Sequence, residues 1–329
     1  MNHTEQDAIN AARRMFPLSS EAQKVSKSYS HDVFIVKTEA EPSEVVVRFS
    51  NGNKEEFNLA KEIRANKIME DLGLPVPKIL LHNKEKNPFE FVILSKLEGQ
   101  DLDVIWPTLS EEEQKQIAHK MGEIIGKIHQ IKLEAYGLLN ENGIDNGSDI
   151  SAFSLKKVGE MPPINRAVHH ISAITLHDLG SLSAFKTIDK KDVKDIANYI
   201  FDNASVLETQ EEPTLIHGDF EYRNIKVQKI NDEWMITGLL DFEYAAANMR
   251  EYDFIKLHRF GFLTQTHLKE GLLAGYSKYQ SIHPNFEERV KFLRFTRDIG
   301  FMLVLLKAGD INMAEKVLNN IRDLIKNPL

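Results

Sequence analysis

Two short segments carry side chains that could act together on a phosphoryl group. The first is His217-Gly218-Asp219, and Asn224 follows five residues after Asp219. The second contains Asp241, which lies seventeen residues beyond Asn224 at the end of an apolar stretch. An acid, an amide on the same loop and a second acid at a strand end form a recurrent set in phosphoryl transfer.

The chemistry of that transfer explains these residue types. A carboxylate at Asp219 can orient an attacking hydroxyl and accept its proton. The side-chain oxygens of Asn224 and Asp241 are hard ligands of the kind that hold Mg²⁺ against nucleotide phosphates. An isolated His-Gly-Asp would indicate a turn with a capping Asp, but the two further residues at fitting distances favour a catalytic loop.

The hydrophobic pattern predicts a small mixed lobe before these segments. Residues 33–37 and 44–50 are apolar and β-branched and predict two strands, with a turn at Pro42 between them. A helical stripe runs from about residue 55 to Leu72 and ends at Gly73. The segments LPVPKILL and FEFVILS predict two further strands. This order is typical of an α+β lobe and not of a doubly wound sheet.

The rest of the chain is predicted to be mostly helical. Ser110 and Glu113 form a capping box that opens a helix running to about Ile131. Residues 137–165 are rich in Gly, Asn, Pro and Ser and are interpreted as a long loop or insertion. Further helices are expected over much of 166–208 and from about residue 253 onward, and short strands before the two acidic segments.

Composition and charge exclude several classes of protein. The chain has 329 residues, 42% of them hydrophobic, which allows a substantial core in one or two domains. Its formal net charge of −8 argues against a general nucleic-acid-binding protein. Without cysteine, a disulfide scaffold, a thiol nucleophile and a thiolate zinc site are excluded. No secretory signal or membrane span is recognisable, so the expected location is the cytoplasm.

At the two acidic segments the chain resembles the aminoglycoside phosphotransferase family, which is related to the protein kinases. Family members carry an H-G-D-x-x-x-x-N loop followed by an I/L-D-x-D/E segment, as residues 217–224 and 240–243 do here. Other stretches match the family in the same order: Glu62 with the following Gly73-Leu74-Pro75-Val76-Pro77, FVILSKLEGQDL, IIGKIHQI and Arg250-Glu251-Tyr252-Asp253. The resemblance covers most of the chain.

This resemblance implies a fold and roles for individual residues. The implied fold is a two-lobed, protein-kinase-like α+β fold, with a nucleotide-binding lobe over 1–96 and a catalytic and acceptor-binding lobe over 97–329. Asp219 matches the catalytic Asp, and Asn224 and Asp241 match the Mg²⁺ ligands. His217 matches a residue that organises the loop and is not a general base. Ser95, Lys96 and Leu97 match the hinge, whose backbone binds the purine of ATP or GTP.

Three features of the implied nucleotide site depart from protein kinases. Arg48 stands where the strand residue is usually Lys; it can contact phosphate and pair with Glu62, but as a rigid fork rather than a point charge. Ser28 belongs to a phosphate-covering loop, residues 26–31, that contains no glycine. Glu243 stands where protein kinases have Gly and is expected to tie down the loop or assist the metal through water.

The implied reaction transfers the γ-phosphoryl group of a nucleoside triphosphate to a hydroxyl of a small molecule. The acidic balance, with Glu221 and Glu251 as possible contacts, favours an aminoglycoside-like polycation. A macrolide or a metabolic alcohol such as choline or homoserine is the alternative acceptor. A catalytically silent kinase-like binding module is another alternative, motivated by Arg48. A protein kinase is disfavoured because the Gly-rich loop and the A-P-E segment are missing.

Other conspicuous residues receive structural interpretations. His169, His170 and His177 have only Asp178 as a nearby carboxylate, so a metal site is not expected there. Asp253 is expected to brace the catalytic loop, as its counterpart does in the family. Core positions are expected for Trp106, Phe292, Phe295, Phe301 and the apolar segment IGFMLVLLKAG.

Overall fold

The computed structural model describes residues 3–27, 31–50, 59–85, 89–139, 167–209 and 211–326. The first part of the chain forms α1 (Glu5–Ala12), β1 (Glu21–Lys27), β2 (His31–Lys37), β3 (Glu44–Ser50), α2 (Leu59–Asp71), β4 (Ile79–Asn83) and β5 (Phe91–Ser95). The five strands form one antiparallel sheet in the order β1-β2-β3-β5-β4.

The two faces of this sheet serve different purposes. Because side chains alternate along a strand, Val47 and Phe49 of β3 point to one face and Arg48 points to the other. Val47 and Phe49 are buried in an apolar cluster that α1 covers. Arg48 instead contacts Glu62 on α2, and the alternation of β3 therefore places a cation on the face that carries α2.

The second part of the chain is mostly helical and contains two small sheets. Its elements are β6 (Gln100–Asp101), α3 (Leu102–Ile105), α4 (Glu111–Ile128), β7 (Gly137–Leu138), α5 (Ala167–Leu182), α6 (Lys190–Asn203), β8 (Thr214–Ile216), β9 (Ile225–Ile230), β10 (Glu233–Leu239), β11 (Ala246–Asn248), α7 (Phe254–Arg259), α8 (Thr266–Tyr276), α9 (Phe286–Ala308) and α10 (Ile311–Lys326). The sheets have the orders β10-β9-β6 and β7-β11-β8. The predicted two-lobed α+β architecture is confirmed.

A close helix pair forms the centre of the large lobe. Glycines bring the backbones of α4 and α8 together: a Cβ at Gly122 would lie 2.0 Å from the Leu272 carbonyl oxygen, and one at Gly275 would lie 1.9 Å from that of His119. Around this pair the core extends without interruption to Met69 of α2, in the small lobe. A second core joins α5, α6, α9 and α10.

Some predicted elements needed correction. The capping box of Ser110 and Glu113 is present, but α4 ends at Ile128 and not near Ile131. The chain turns there because the Ile131 carbonyl oxygen accepts a hydrogen bond from Leu215, next to the catalytic loop. Neither α1 nor β1 was predicted. Most of the predicted loop over 137–165 lies outside the described residues, although Gly137–Leu138 forms β7.

The aromatic residues of α9 are not all buried as predicted. Phe292 and Phe295 belong to the second core, but Phe301 is 40% exposed because it lies on the outer face of the helix. Trp106 is half-buried and stacks on Phe262 and Tyr222. Within the described ranges, no helix is both long and apolar enough to cross a membrane.

Candidate active site

The two acidic segments meet because each follows a strand of the large lobe. β8 leads into His217 and β10 leads into Leu240. The backbone N–H of Leu240 donates to the Asn224 carbonyl oxygen at 2.9 Å, and the His217 ring donates through Nε2 to the Leu240 carbonyl oxygen at 3.0 Å. The predicted catalytic loop therefore lies directly beside Asp241.

A buried carboxylate fixes the backbone of the predicted catalytic loop. Asp253 accepts hydrogen bonds from the backbone N–H groups of His217 at 2.9 Å and Gly218 at 2.7 Å. His129, which is fully buried, lies 3.2 Å from the same carboxylate and 3.1 Å from the Tyr276 hydroxyl. Asp253 thus braces the loop and does not face a substrate.

Gly218 is required by both conformation and space. Its φ of +79° lies in the left-handed region, which side chains rarely adopt. A Cβ here would also come within 2.1 Å of the Tyr244 carbonyl oxygen. The glycine of the His-Gly-Asp sequence therefore lets the loop pass closely over Tyr244.

Asp219 and Asn224 form a hydrogen-bonded pair. The Asn224 Nδ2 group donates to the Asp219 backbone oxygen at 2.9 Å and to its Oδ2 at 3.1 Å. The Asp219 N–H donates to Nδ1 of His217 at 3.3 Å. Both ring nitrogens of His217 are thus engaged with backbone groups, which supports an organising role rather than a general base.

Sequence reasoning missed two cations that face Asp219. Lys256 of α7 forms ion pairs with Asp219 and, at 2.5 Å, with Glu221. Arg297 of α9 places its Nη2 3.7 Å from Asp219 Oδ1. The sequence signal for Lys256 was its position three residues after Asp253. Its contact with Asp219 could not be predicted, because the two residues lie far apart in sequence.

The two acids expected to face a cationic acceptor are instead occupied inside the protein. Glu221 is 2% exposed, and Arg223 binds both of its oxygens, at 2.7 and 2.8 Å, beside Lys256. Glu251 is 1% exposed and pairs with Arg289 at 3.1 Å. The expectation that Glu221 or Glu251 contacts the acceptor was wrong, because internal cations neutralise both.

Negative charge gathers around Arg48, on the side of the site where the nucleotide is expected. Arg48 pairs with Glu62, and its Nη2 lies 3.5 Å from Asp241 and 3.9 Å from Glu243. Burial raises the pKa of Glu62, and the carboxylates of Asp241 and Glu243 add to that rise although Arg48 opposes it. Three carboxylates around one guanidinium leave this side with an excess of negative charge.

Two polar atoms in this group are buried without a hydrogen bond to any described residue, and one of them, Oε2 of Glu62, lies 3.6 Å from Nε2 of the buried His31. Among the described residues, neither Nε of Arg48 nor Oε2 of Glu62 has a hydrogen-bond partner. Asp241 has a φ of +67°, which an Asp tolerates better than most residues, and its side chain is one-third exposed. The metal-loop carboxylate therefore faces an accessible space.

The donor set at Asn224 and Asp241 fits Mg²⁺. No group of three or more His, Asp or Glu side chains in the described segments is arranged to hold a metal ion. Mg²⁺ does not need such a cage, since it is commonly bound by one or two carboxylates together with substrate phosphates. Asn224 donates through Nδ2, which leaves its Oδ1 available as an oxygen ligand.

The predicted hinge links the two lobes. The Ser95 N–H donates to the Lys78 carbonyl oxygen at 2.9 Å, and its Oγ accepts from the Lys78 N–H at 2.8 Å. The Lys96 side chain pairs with Glu44 at 2.5 Å. Within the described parts of the chain, the backbone N–H groups of Lys96 and Leu97 donate to no backbone acceptor. Ser28 lies outside the described residues.

The comparison with family models decides the family. The model of the phosphotransferase enzyme family (APH) matches residues 21–289 of this chain. The chain belongs to the phosphotransferase enzyme family. The resemblance noted in the sequence is thereby confirmed for most of the chain, including both acidic segments of this family member.

Solved structures of phosphotransferase enzymes share the fold. The GDP and kanamycin complex of APH(2")-IIIa has a TM-score of 0.70 at 16% identity, covering 97% of this chain and 98% of that one. A thermostable mutant of aminoglycoside phosphotransferase APH(4)-Ia, in a ternary complex with ADP and hygromycin B, has a TM-score of 0.66 at 14% identity, covering 97% of each chain.

A neighbour of another kind has the same architecture. A protein assigned as a fructosamine-3-kinase, from Thermobifida fusca YX-ER1, has a TM-score of 0.57 at 13% identity, covering 94% of this chain and 98% of that one. The kinase-like fold expected for this phosphotransferase family member is confirmed.

Proposed function

We propose that this phosphotransferase transfers the γ-phosphoryl group of ATP or GTP to a hydroxyl of a small molecule. The observation that carries the proposal is the Asp219–Asn224 pair, held on a braced loop beside Asp241. Residues 1–96 would form the nucleotide-binding lobe and 97–329 the catalytic and acceptor lobe. A cytoplasmic location, where both nucleotides are supplied, belongs to the same proposal.

Asp219 would direct the nucleophile. The hydrogen bond from Asn224 fixes Oδ2, so the carboxylate presents a defined orientation to an incoming hydroxyl. Lys256 forms an ion pair with this carboxylate and Arg297 lies 3.7 Å from its Oδ1, so two cations help to fix the group that would hold the hydroxyl and receive its proton. Positioning contributes much of the rate in phosphoryl transfer, so a fixed Asp219 matters more than a strongly basic one.

Asn224 and Asp241 would hold Mg²⁺ when the nucleotide is bound. The ion would neutralise negative charge on the phosphates. The protein's own part is to keep both oxygens beside each other, through the hydrogen bond between the Leu240 N–H and the Asn224 carbonyl oxygen. Arg48 would contact the phosphates while Glu62 holds it from behind.

The nucleotide base would lie against the hinge. The backbone N–H groups of Lys96 and Leu97 could donate hydrogen bonds to acceptor atoms on the purine edge, and Ser95 would support them through its bonds to Lys78. Ser28 remains the predicted phosphate-covering residue. ATP and GTP are both candidates, since neighbouring structures were obtained with GDP and with ADP.

The acceptor predicted from the sequence was an aminoglycoside-like polycation. Because neighbouring structures contain kanamycin or hygromycin B, an aminoglycoside belongs among the acceptors to be tested. The internal pairing of Glu221 and Glu251 removes the structural reason for preferring it to a macrolide or a metabolic alcohol.

Nucleotide binding with and without Mg²⁺ tests this function. We expect the non-hydrolysable analogues AMP-PNP or GMP-PNP to bind the wild type with Mg²⁺, and Asp241→Asn to weaken that Mg²⁺-dependent binding at least about tenfold. Mg²⁺-dependent consumption of ATP or GTP should accompany binding in the wild type. Binding without consumption under any acceptor would indicate a silent module, and no binding of either analogue would refute the proposal.

A further inference from the structure

The two helices that reach Asp219 carry several cations, and two of these, Lys256 and Arg297, contact that carboxylate. Four of the cations form what we call the basic cluster: Lys256 and Arg259 on α7, and Arg294 and Arg297 on α9. Among the described residues, ion pairs connect these four cations to three carboxylates, those of Asp219, Glu221 and Asp298. Arg223 also pairs with Glu221, so these ion pairs contain five cations and three carboxylates.

Arg297 is the member of the basic cluster whose donors are least used within the described parts of the chain. Its guanidinium makes no hydrogen bond with any described residue, and its ion pair is with Asp219 at 3.7 Å. Arg289, two turns earlier on the same helix, shows what a structural arginine looks like here. Its guanidinium donates to Glu251, to the Val206 carbonyl oxygen at 3.0 Å and to the Glu208 carbonyl oxygen at 3.0 Å.

The exposure of the two arginines differs in the same way. The Arg289 side chain is 1% exposed, whereas that of Arg297 is 24% exposed. A guanidinium offers five donors in a planar fork that matches carboxylate and phosphate oxygens. In Arg297 these donors are unused and reach solvent beside the carboxylate that would hold the acceptor hydroxyl.

The surroundings of Arg297 suit a small organic molecule. Tyr244, which interacts electrostatically with both Asp219 and Arg297, is 40% exposed. Phe301 lies one turn beyond Arg297 on α9, is also 40% exposed, and has the Arg259 guanidinium over its ring at 6.0 Å. Two exposed rings therefore lie near the Arg297 guanidinium, which contacts the carboxylate that would hold the acceptor hydroxyl.

We propose that the acceptor is an alcohol that also carries a carboxylate or phosphate group, which Arg297 binds while the hydroxyl faces Asp219. This inference rests on the proposed function. The hydroxyl oxygen forms a bond to the γ-phosphorus, and the bond from that phosphorus to the β–γ bridging oxygen breaks. The electron pair of the broken bond leaves with the nucleoside diphosphate, and the hydroxyl proton passes to Asp219.

The test uses two series of alcohols, and the members of each series have the same number of carbons but differ in charge. The three-carbon series is glycerol, D-glycerate and glycerol 3-phosphate; the six-carbon series is glucose, gluconate, glucose 6-phosphate and glucosamine, with kanamycin added as a polycation. The readout is Mg²⁺-dependent nucleoside diphosphate formation above the rate without acceptor. The carboxylate and phosphate members distinguish the two sources of negative charge.

We expect an anionic member to stimulate turnover at least about tenfold more than its neutral or cationic counterpart. Arg297→Gln should raise the KM for that anion at least about tenfold and change kcat less, with Arg297→Lys in between. Lys307→Gln, which removes the same charge from α9 about 15 Å further along the helix, should behave as the wild type.

Three results would overturn the anionic acceptor: equal or greater stimulation by glucosamine, kanamycin or the neutral alcohols; an unchanged KM in Arg297→Gln; or no stimulation by any anion in an enzyme that consumes nucleotide. Melting temperatures of the variants separate loss of folding from loss of binding. A wild type that neither binds nor consumes nucleotide would instead refute the proposed function itself.

Discussion

The Arg48 guanidinium lies 3.5 Å from the Asp241 carboxylate and so connects the sheet of the small lobe to the metal loop of the large lobe. The same guanidinium pairs with Glu62 on α2. One arginine fork can contact two carboxylates at once, which a lysine ammonium on a single stem does less well. The Arg that stands in place of the usual Lys therefore joins two carboxylates, those of Glu62 and Asp241.

Replacing Arg48 separates its charge from its shape. Arg48→Lys should keep the ion pair with Glu62 but lose the contact with Asp241, raising the KM for nucleotide about tenfold. Arg48→Ala should also lower the free energy of unfolding by about 3 kcal/mol, because it leaves Glu62 buried without its cation. Steady-state kinetics and denaturant unfolding measure the two effects. Equal nucleotide KM values in wild type and Arg48→Lys would contradict the fork argument.

Two glycines with positive φ distinguish conformational cost from steric cost. Gly218→Ala should lower turnover at least about 100-fold, because its Cβ would displace the loop that carries Asp219. Gly73→Ala, with a φ of +69° and no atom within 4 Å of its Cβ, should cost only about 1 kcal/mol of stability and leave activity intact. Comparable kinetics in the two variants would refute the steric argument.

A glycine inside the α4–α8 contact and a glycine on α5 outside it should respond in opposite ways to replacement by alanine. Gly275→Ala should destabilise the protein by about 3 kcal/mol, since its Cβ would overlap the His119 carbonyl oxygen. Gly180→Ala on α5, where the Cβ meets no atom within 4 Å, should stabilise by up to about 1 kcal/mol. Thermal unfolding of both variants measures the difference, and a shift of the same sign in both would contradict the packing described here.

The family and the architecture could be predicted from the sequence because they depend on local patterns. Each of three features is encoded by a few neighbouring residues: the His-Gly-Asp loop, the capping box at Ser110 and the strands on either side of Pro42. In contrast, β1 reads EAQKVSK, which has too little hydrophobic alternation to indicate a strand, and it lies at the edge of the sheet.

The charges on the acceptor side could not be predicted in the same way. Lys256 and Arg297 come from helices far from Asp219 in sequence, and only tertiary packing brings them to that carboxylate. Glu221 had the position of a substrate contact in the catalytic loop, but the structure turns it toward Arg223 and Lys256. A sequence shows which charges exist and does not show which of them neutralise each other.

His258 predicts a loss of stability in acid. Its Nδ1 accepts a hydrogen bond from Arg294 at 3.1 Å, and partial burial beside that guanidinium lowers the pKa of His258 to about 4. Because the folded pKa lies below the ordinary 6.5, the unfolded chain binds the proton first. The contribution of neutral His258 to the free energy of unfolding is complete above pH 6.5 and is lost as the pH falls toward 4.

His258→Gln keeps an acceptor for Arg294 but does not titrate in this range. The wild type should lose about 1 kcal/mol more free energy of unfolding than His258→Gln between pH 7 and pH 4.5, after allowance for solvent screening of a partly exposed ring. Denaturant unfolding at the two pH values measures this difference. Identical pH dependence in both proteins would contradict a neutral, buried His258.

The most direct test of the central claim compares Asp219→Asn with the wild type. Nucleoside diphosphate formation is measured with Mg²⁺ and the best acceptor, and Asp232→Asn, at an exposed turn, makes the same chemical change as a control. We predict that Asp219→Asn binds the nucleotide analogue within about threefold of wild type but loses turnover at least about 100-fold, while Asp232→Asn retains it. Turnover by Asp219→Asn within a few-fold of the wild type would contradict a catalytic role for this carboxylate.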